Sequence, residues 1–241
     1  MAATSIIYRR ELGAFLRSPF AWVIASLVLL VDGIFFRGFV LPGEQLSAIV
    51  LERFFYYSSG VVMFAGILLS FRLIAEERTS HSMVLLNTSP VRDSQIIVGK
   101  FLAALTFLAI LLVLTLYMPL LIKVRGKITA TQIVVGYLGL FLLGSATLSI
   151  GMFASALTRN QMIAAISAAA MVIILVFLFQ FARALEGSVR DVLQELDMWW
   201  IHFQNGFMRG VLNLKDVVFY LAMTYFFLLL AVKTLEAKRW Q

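Results

Sequence analysis

Long apolar runs alternate with short polar segments along the whole chain. A helix needs about 20 consecutive apolar residues to cross a bilayer, and six runs reach that order of length. They occupy Phe20–Leu41, Phe54–Ile74, Ile96–Ile122, Ile133–Leu157, Met162–Ala182 and Val217–Lys233. The pattern predicts an all-α membrane protein with six transmembrane helices and both termini on one side of the membrane. The first run is longer than a signal-peptide core, so we expect it to be retained.

The segment before the first run, residues 5–18, has the pattern of an amphipathic helix at the membrane interface. Its apolar stripe is Tyr8, Leu12, Phe15 and Leu16, and the charged residues Arg9, Arg10, Glu11 and Arg17 fall on the other faces. Ser18 and Pro19 end the pattern. Two roles are open for this interfacial helix: an anchor that fixes where the first span enters the membrane, or a helix that also contacts a cytosolic partner.

A second polar segment, residues 75–95, separates spans two and three. Charged residues come first, an apolar patch follows and a proline ends the patch. These residues are Glu76, Glu77 and Arg78, then Met83, Leu85 and Leu86, and finally Pro90. The segment predicts a short helix across the cytoplasmic face, whose apolar residues fill a groove on another protein. The alternative is a connector that packs these residues on its own bundle.

Spans five and six are joined by residues 183–214, which place apolar residues on one helical stripe opposite polar ones. The stripe is Leu185, Val189, Val192, Leu193, Leu196, Trp199, Trp200 and Phe203. It predicts an external amphipathic helix, with Trp199 and Trp200 at the level of the lipid headgroups rather than in a substrate clamp. Gly206 and Gly210 predict a bend or a shallow re-entrant turn after it.

One acidic residue, Asp32, lies well inside an apolar run. A carboxyl group in hydrocarbon is costly and faces either a partner or a water-filled path. Asp32 therefore either lines a path for substrate, or lies in the outer half of its span and is satisfied by Arg37 or a neighbouring helix.

Small residues recur every four positions in span four, at Thr147, Gly151 and Ser155. They predict close helix packing, either within the chain or against a second copy. The turn at Arg159 and Asn160 is short enough to make spans four and five an antiparallel hairpin.

Composition and charge exclude several other classes of protein. Of the 241 residues, 61% are hydrophobic and 14% are charged, whereas a soluble chain carries about 25% charged residues.

The net charge of +7 suits a surface near anionic lipid, and we expect no nucleic-acid partner because the basic residues do not cluster outside the spans. Slightly more of them fall on the side of the termini, which favours cytoplasmic termini. The absence of cysteine excludes disulfides and cysteine-ligated metals.

The sequence offers no catalytic constellation. Gly99 and Lys100 do not form a phosphate-binding loop, because the earlier glycine is missing and Phe101 follows. His81 and His202 fall on opposite sides of the predicted membrane, which excludes a metal site that uses both. We therefore expect no catalytic, metal or cofactor site, and any work done by the chain needs an energy source on another protein.

Three stretches carry a resemblance to a known family. They are Arg10-Glu11-Leu12 with Leu16-Arg17-Ser18-Pro19; then Glu76, Glu77, Arg78, Leu85, Leu86, Pro90, Gly99 and Lys100; then Gly210, Val211, Leu212, Asp216, Tyr220 and Arg239-Trp240. In this order they resemble the membrane subunits of ABC type-2 transporters, similar to the gliding-motility-associated permeases, over essentially the whole chain. The sequence departs from the family pattern at His81, Ser82 and Val84, where Gly, Thr and Glu are usual.

The resemblance implies a single transmembrane domain over residues 1–241 in a bacterial cytoplasmic (inner) membrane. It implies that the loop at 75–95 docks on a separate cytosolic ABC ATPase, whose dimer closes on nucleotide. That movement shifts two six-span halves, the other half being a second copy or a related permease, and a substrate is exported.

The resemblance also assigns roles within the loop. Glu76, Glu77 and Arg78 position it through charge pairing, while Leu85 and Leu86 supply buried contact; Ser82 and Pro90 belong to the same loop. The chain itself is then not an enzyme. Two other functions remain open: transmission of force or a signal to envelope partners without solute transport, and a membrane scaffold without an ATPase.

Overall fold

The computed structural model describes residues 2–42, 46–79, 92–183 and 186–239, and every regular element within these ranges is helical. The α-helices are α1 (Ala2–Arg17), α2 (Pro19–Phe35), α3 (Ser47–Ser70), α4 (Arg72–Thr79), α5 (Asp93–Thr115), α6 (Tyr117–Arg125), α7 (Ala130–Leu157), α8 (Gln161–Ala182), α9 (Ser188–Glu195) and α10 (Leu214–Arg239). A π-helical turn, Phe36–Val40, continues α2. A second π-helical turn, Trp200–Gln204, and a 3₁₀ turn, Phe207–Arg209, lie between α9 and α10.

Among the described residues, six helical stretches are long and apolar enough to span a membrane, which confirms the all-α architecture and the six predicted spans. They are Pro19–Val40, Ser47–Ala75, Asp93–Val124, Ala130–Leu157, Gln161–Ala182 and Leu214–Lys238. Two of the spans contain a break: α3 passes into α4 at Phe71, and α5 passes into α6 at Leu116. The first break lies directly before the predicted docking loop.

Local sequence explains where several helices begin. Pro19 occupies the start of α2, where the missing N–H of proline costs no hydrogen bond. The Thr129 hydroxyl accepts a hydrogen bond from the backbone N–H of Gln132 at 3.4 Å and caps α7. The Asn160 side chain accepts from the N–H of Met162 at 2.8 Å and caps α8, so the short turn between α7 and α8 forms the predicted antiparallel hairpin.

Helix α7 is the centre of the bundle. Of the most apolar stretch of this span, 78% is buried inside the protein, whereas 17% is buried in each of spans five and six. The predicted close packing is confirmed and lies within the chain: a Cβ on Gly151 would overlap the side chain of Ser70, and one on Gly66 would lie 3.1 Å from Thr147. Because small residues let α3 approach so closely, movement of α3 cannot leave α7 unaffected.

The segment between spans five and six differs from the single long helix that its stripe predicted. Helix α9 ends at Glu195, and the carboxylate of Asp197 then accepts hydrogen bonds from the backbone N–H groups of Trp199, Trp200 and Ile201. These bonds replace the helical ones, as side chains of Asp do in turns. The chain after Glu195 therefore turns into the bundle, and Phe203 is fully buried.

Candidate functional site

The residues expected to dock on a partner begin in the second half of α4 and continue beyond it. Glu76, Glu77 and Arg78 form the second half of this helix. Their side chains, and the whole of Ser82, Leu85, Leu86 and Pro90, lie outside the described residues. What the structure shows is how the base of this segment is attached to the bundle. We call the end of the bundle at which α1 and the end of α10 lie the terminal end.

The hydroxyl of Ser155 in α7 holds the start of α4. It accepts hydrogen bonds from the backbone N–H groups of Ile74 and Ala75 at 3.1 and 2.9 Å, and donates one to the carbonyl oxygen of Phe71 at 2.8 Å. The first N–H groups of any helix lack helical acceptors, and here a side chain from another span supplies one. With one donor and two acceptor positions in use, the hydroxyl is saturated. The start of the segment at 75–95 is therefore fixed to α7.

The last turn of α7 also binds the end of α10. Lys238 Nζ donates hydrogen bonds to the carbonyl oxygens of Ala156 and Leu157, at 3.1 and 2.6 Å. A cation at a helix C-terminus satisfies exposed carbonyl groups and interacts favourably with the helix dipole. Residues 155–157 of α7 thus contact two elements, helix α4 and the C-terminal helix α10.

A buried ion pair joins α1 to α5 at the same end. Lys100 Nζ lies 3.2 Å from Oε1 of Glu11, and only 3% of the lysine side chain is exposed. Burial by itself raises the pKa of Glu11, but the charges of Lys100 and Arg10 and their hydrogen bonds outweigh it, so the pKa is lowered. The carboxylate is therefore ionised at neutral pH and holds α1 on the bundle.

The helices at this ion pair are in direct contact. A Cβ on Gly99 would lie 2.9 Å from Cγ2 of Ile7 and 3.1 Å from the carbonyl oxygen of Thr4, so only glycine leaves room for α1. Further along the same interface, the Tyr8 hydroxyl lies 3.2 Å from Oγ1 of Thr106. The Arg10-Glu11-Leu12 stretch and the Gly99-Lys100 pair, distant in sequence, thus form one interface.

The orientation of α1 requires a correction. Its pattern placed Glu11 among the outward charges, whereas the structure turns Glu11 inward to Lys100 and buries Ile7. The reason is that Lys100 itself lies within the third span and needs a partner in this apolar setting. Arg9, Arg10 and Arg17 are exposed on the outer side of α1.

Asp32 is satisfied by a neighbouring helix. It is 3% exposed, and its Oδ1 accepts a hydrogen bond from the Ser58 hydroxyl of α3 at 3.0 Å. Of the two interpretations, the structure gives Asp32 the neighbouring-helix contact, while a role in a substrate path stays a prediction.

The two tryptophans pack into the bundle at the end opposite to the termini. Trp199 is 7% exposed, and its Nε1 donates a hydrogen bond to the Ser59 hydroxyl at 2.9 Å. Trp200 stacks on Phe179, with ring centroids 6.1 Å apart. Asp197, which caps this turn, also accepts from the N–H of Phe179; burial raises its pKa, although its four backbone hydrogen bonds act in the opposite direction. Both tryptophans therefore fasten the segment to spans two and five.

A buried histidine and aspartate complete this attachment. His202 Nδ1 lies 2.7 Å from Oδ1 of Asp216, and its Nε2 lies 3.1 Å from the carbonyl oxygen of Glu195. The imidazole ring also stacks on Phe219 at 3.8 Å. The contacts tie α9 and the following turn to the start of α10. Among the described residues, no group of three or more His, Asp or Glu is placed to hold a metal ion.

Sequence reasoning missed three of these features: the Ser155 hydroxyl as a helix cap, the pair Glu11–Lys100 and the pair His202–Asp216. One signal was available for the second. A lysine in an apolar run demands a counter-ion, and Glu11 is the acid in the preceding amphipathic helix. The Ser155 cap and the pair His202–Asp216 had no such signal, because no local sequence pattern connects the residues involved.

Comparison with known proteins gives one family. The family model described as ABC-2 family transporter protein matches residues 5–190 of the chain. The matched region includes most of α1, the segment at 75–95 and the first five spans. No curated protein matches the chain.

Proposed function

The chain belongs to the ABC-2 family of transporter proteins, and from this premise we propose that a separate cytosolic ABC ATPase drives it through the segment at 75–95. In this proposal the chain is the multi-pass membrane subunit, and the partner protein hydrolyses ATP. The proposal places both termini in the cytoplasm and the chain in a bacterial inner membrane, and it takes transport in the direction of export.

The observation that carries this proposal is the hydrogen-bonded cap on α4. An ATPase that closes on nucleotide drives two membrane arrangements only if the docking segment makes different contacts in the open and closed states. Such contacts move the spans only if the segment is firmly attached to at least one span. Ser155 supplies the attachment, because it joins the start of α4 to the most buried helix of the bundle.

The interface of α1 with α5 extends this attachment. The third span begins at Asp93, at the end of this segment, and its Lys100 pairs with Glu11 of α1. A force that the ATPase applies to the segment therefore reaches α7 through the start of the segment. It reaches α5 and α1 through the end of the segment. In this proposal α1 is a part of the moving unit as well as an anchor at the membrane surface.

The orientation proposed is supported by charge at the terminal end. Arg9, Arg10 and Arg17 are exposed there, and basic residues near spans are retained on the cytoplasmic side. A second copy of the chain or a related permease completes the transporter in this proposal, since the ATPase acts as a dimer.

Co-purification tests the partnership. A candidate ABC ATPase is co-expressed with the chain, and the complex is isolated in mild detergent. Leu86→Asp places a charge in the apolar patch, so we expect loss of the ATPase from the purified complex. Leu212→Asp, the same change at an exposed leucine at the opposite end, is the matched control and should retain it. Retention of the ATPase by Leu86→Asp contradicts docking through this patch.

A mechanical function, as in gliding-motility-associated permeases, uses the same attachment. The segment between α9 and α10 favours it as a second candidate, because it is fastened to the spans by the pair His202–Asp216 and could pass movement to an envelope partner. ATPase activity in proteoliposomes separates the two functions: stimulation by a solute supports transport, and indifference to every solute supports force transmission.

A further inference from the structure

The imidazole ring of His202 is buried between α9 and α10, at the end of the bundle opposite to the termini. Only 1% of the residue is exposed, and the ring stacks on Phe219 with centroids 3.8 Å apart. Both ring nitrogens lie within hydrogen-bond distance of an oxygen atom. One oxygen belongs to the carboxylate of Asp216 in α10, and the other is the backbone carbonyl of Glu195, the last residue of α9. The ring therefore bridges the two helices.

These two contacts determine how many hydrogens the ring carries. A carbonyl oxygen only accepts hydrogen bonds, so Nε2 of His202 is an N–H group that donates to Glu195 at 3.1 Å. Nδ1 lies 2.7 Å from Oδ1 of Asp216, where two facing lone pairs would repel, so a second hydrogen lies between these atoms. A neutral imidazole beside an ionised carboxylate has only one of the two hydrogens. The pair therefore holds one additional proton.

The surroundings favour the imidazole ring as the carrier of this proton. Oδ2 of Asp216 accepts a hydrogen bond from the side-chain amide of Asn213 at 3.2 Å, which stabilises the ionised carboxylate. On its other side the ring meets the C-terminal end of α9, where the helix dipole favours a cation. His202 is then an imidazolium that donates a charge-assisted hydrogen bond to Asp216 and a second hydrogen bond to Glu195.

The other ionisable groups near the ring leave this charge in place. Two cations of the neighbouring elements, Lys215 and Arg209, are exposed, so water and salt weaken their repulsion of the ring. The Glu195 carboxylate pairs with Lys215 at 2.7 Å on the surface. The Tyr220 hydroxyl donates to a backbone carbonyl, and the Asp197 carboxylate caps the turn that contains His202. A negative charge at that turn favours a cation on the ring.

We propose that His202 and Asp216 form a proton-binding site that holds the end of α9 against α10, and that loss of the proton releases α9. A neutral ring keeps one N–H group. The charged carboxylate forms the stronger hydrogen bond, so the hydrogen stays at Nδ1 and the bond from Nε2 to Glu195 is lost. The exposed pair Glu195–Lys215 remains between the two helices, and exposed pairs contribute little.

The consequence is a segment that is attached to α10 at neutral pH and loosened at alkaline pH. The proton-bound form stabilises the attachment, and this contribution is lost as the pH rises. The proposal does not depend on the ATPase partnership, because it concerns the isolated chain.

NMR of the imidazole nitrogens tests the charge of the ring. The chain has two histidines, so His81→Gln leaves His202 as the only one in a full-length chain purified through a tag without histidine. With ¹⁵N-labelled histidine in detergent, we expect two protonated ring nitrogens at about pH 7.5, where an ordinary histidine is largely neutral. Asp216→Asn removes the carboxylate, so its ring should have one bare nitrogen at this pH. A bare nitrogen in the chain with Asp216 overturns the proposal, and so does an unchanged ring in Asp216→Asn.

A spin label on α9 tests the release. Val192 of α9 and Val211 after the 3₁₀ turn are exposed at the same end, and the chain contains no cysteine, so Val192→Cys and Val211→Cys each accept one nitroxide label. Between about pH 7 and about pH 9, we expect the ratio of mobile to immobile label at Val192→Cys to rise about two- to tenfold, as one lost hydrogen bond predicts. Val211→Cys is the matched control and should not respond. Unchanged mobility at Val192→Cys overturns the proposal, and so does the same response after His202→Gln is added.

Discussion

Lys100 of the third span forms an ion pair with Glu11 of the N-terminal helix, with Nζ and Oε1 3.2 Å apart. Removal of either partner deletes this buried contact, and breaking a buried ion pair costs up to about 3–5 kcal/mol. We expect Glu11→Gln and Lys100→Met each to lower the Tm in detergent, and the double variant to lower it less than the sum of both. The exposed pair Lys233–Glu236 is the control, since Glu236→Gln should leave the Tm unchanged. Additive effects of the two buried substitutions would contradict a direct interaction.

The same pair predicts a dependence on pH. The pKa of Glu11 in the folded chain is lower than its ordinary value of 4.5, so the ionised form stabilises the fold above pH 4.5. That contribution is lost as the pH falls through the lowered pKa. We expect the difference in Tm between the native chain and Glu11→Gln to be constant above pH 4.5 and to close below it. A difference that persists at acid pH would show that the glutamate acts through its shape rather than its charge.

Substitution of Gly99 should detach α1. Gly99→Ala brings a Cβ to 2.9 Å from Ile7, and both helix backbones must separate. Because the chain contains no cysteine, Tyr8→Cys provides a single labelling site, which is half-buried beside Thr106 in the native interface and leaves Ile7 in place. We expect faster maleimide labelling of this cysteine when Gly99→Ala is added. Gly13→Ala, in α1 with open space around it, should not increase labelling and should stabilise the helix by about 0.5–1 kcal/mol.

Loss of the Ser155 hydroxyl should uncouple the transporter without releasing the ATPase. Ser155→Ala leaves the N–H groups of Ile74 and Ala75 without an acceptor, at about 1–3 kcal/mol for each group. We expect normal co-purification with the ATPase and a clear loss of ATP-driven activity in proteoliposomes. Ser149→Ala is the control, because this hydroxyl lies in the same helix, is fully buried and donates only within α7, to the carbonyl of Ala146. Equal activity of both variants would show that α4 is not driven through Ser155.

The spans could be predicted from the sequence because the length of an apolar run is a local property. The same holds for the α7–α8 turn, where Asn160 begins the next helix directly. The packing partner of the small residues in span four could not be predicted, because a stripe of small residues has the same pattern against any helix. Only the fold shows that Gly151 faces Ser70 of α3.

The sequence predicts where the candidate docking segment lies, and it does not predict the contacts that attach the start of this segment to the bundle. The charge at Glu76 and the motif at Gly99 marked the segment between spans two and three. A helical projection could not show that Glu11 turns inward, because the lysine that attracts it comes much later in the chain. Likewise, the apolar stripe predicts that the helix continues through Trp199, whereas the helix ends at Glu195. Periodicity carries no information about the hydrogen bonds that Asp197 accepts from the backbone.

The docking of α1 on Gly99 and Lys100 has a consequence for biogenesis. A ribosome adds about 5–20 residues each second, so the first helix emerges several seconds before the glycine and lysine against which it rests. During that interval α1 has no helix of the bundle to pack against, and the carboxylate of Glu11 lacks Lys100. An amphipathic helix such as α1 binds the membrane surface during this interval. Insertion of the third span then completes the interface of α1.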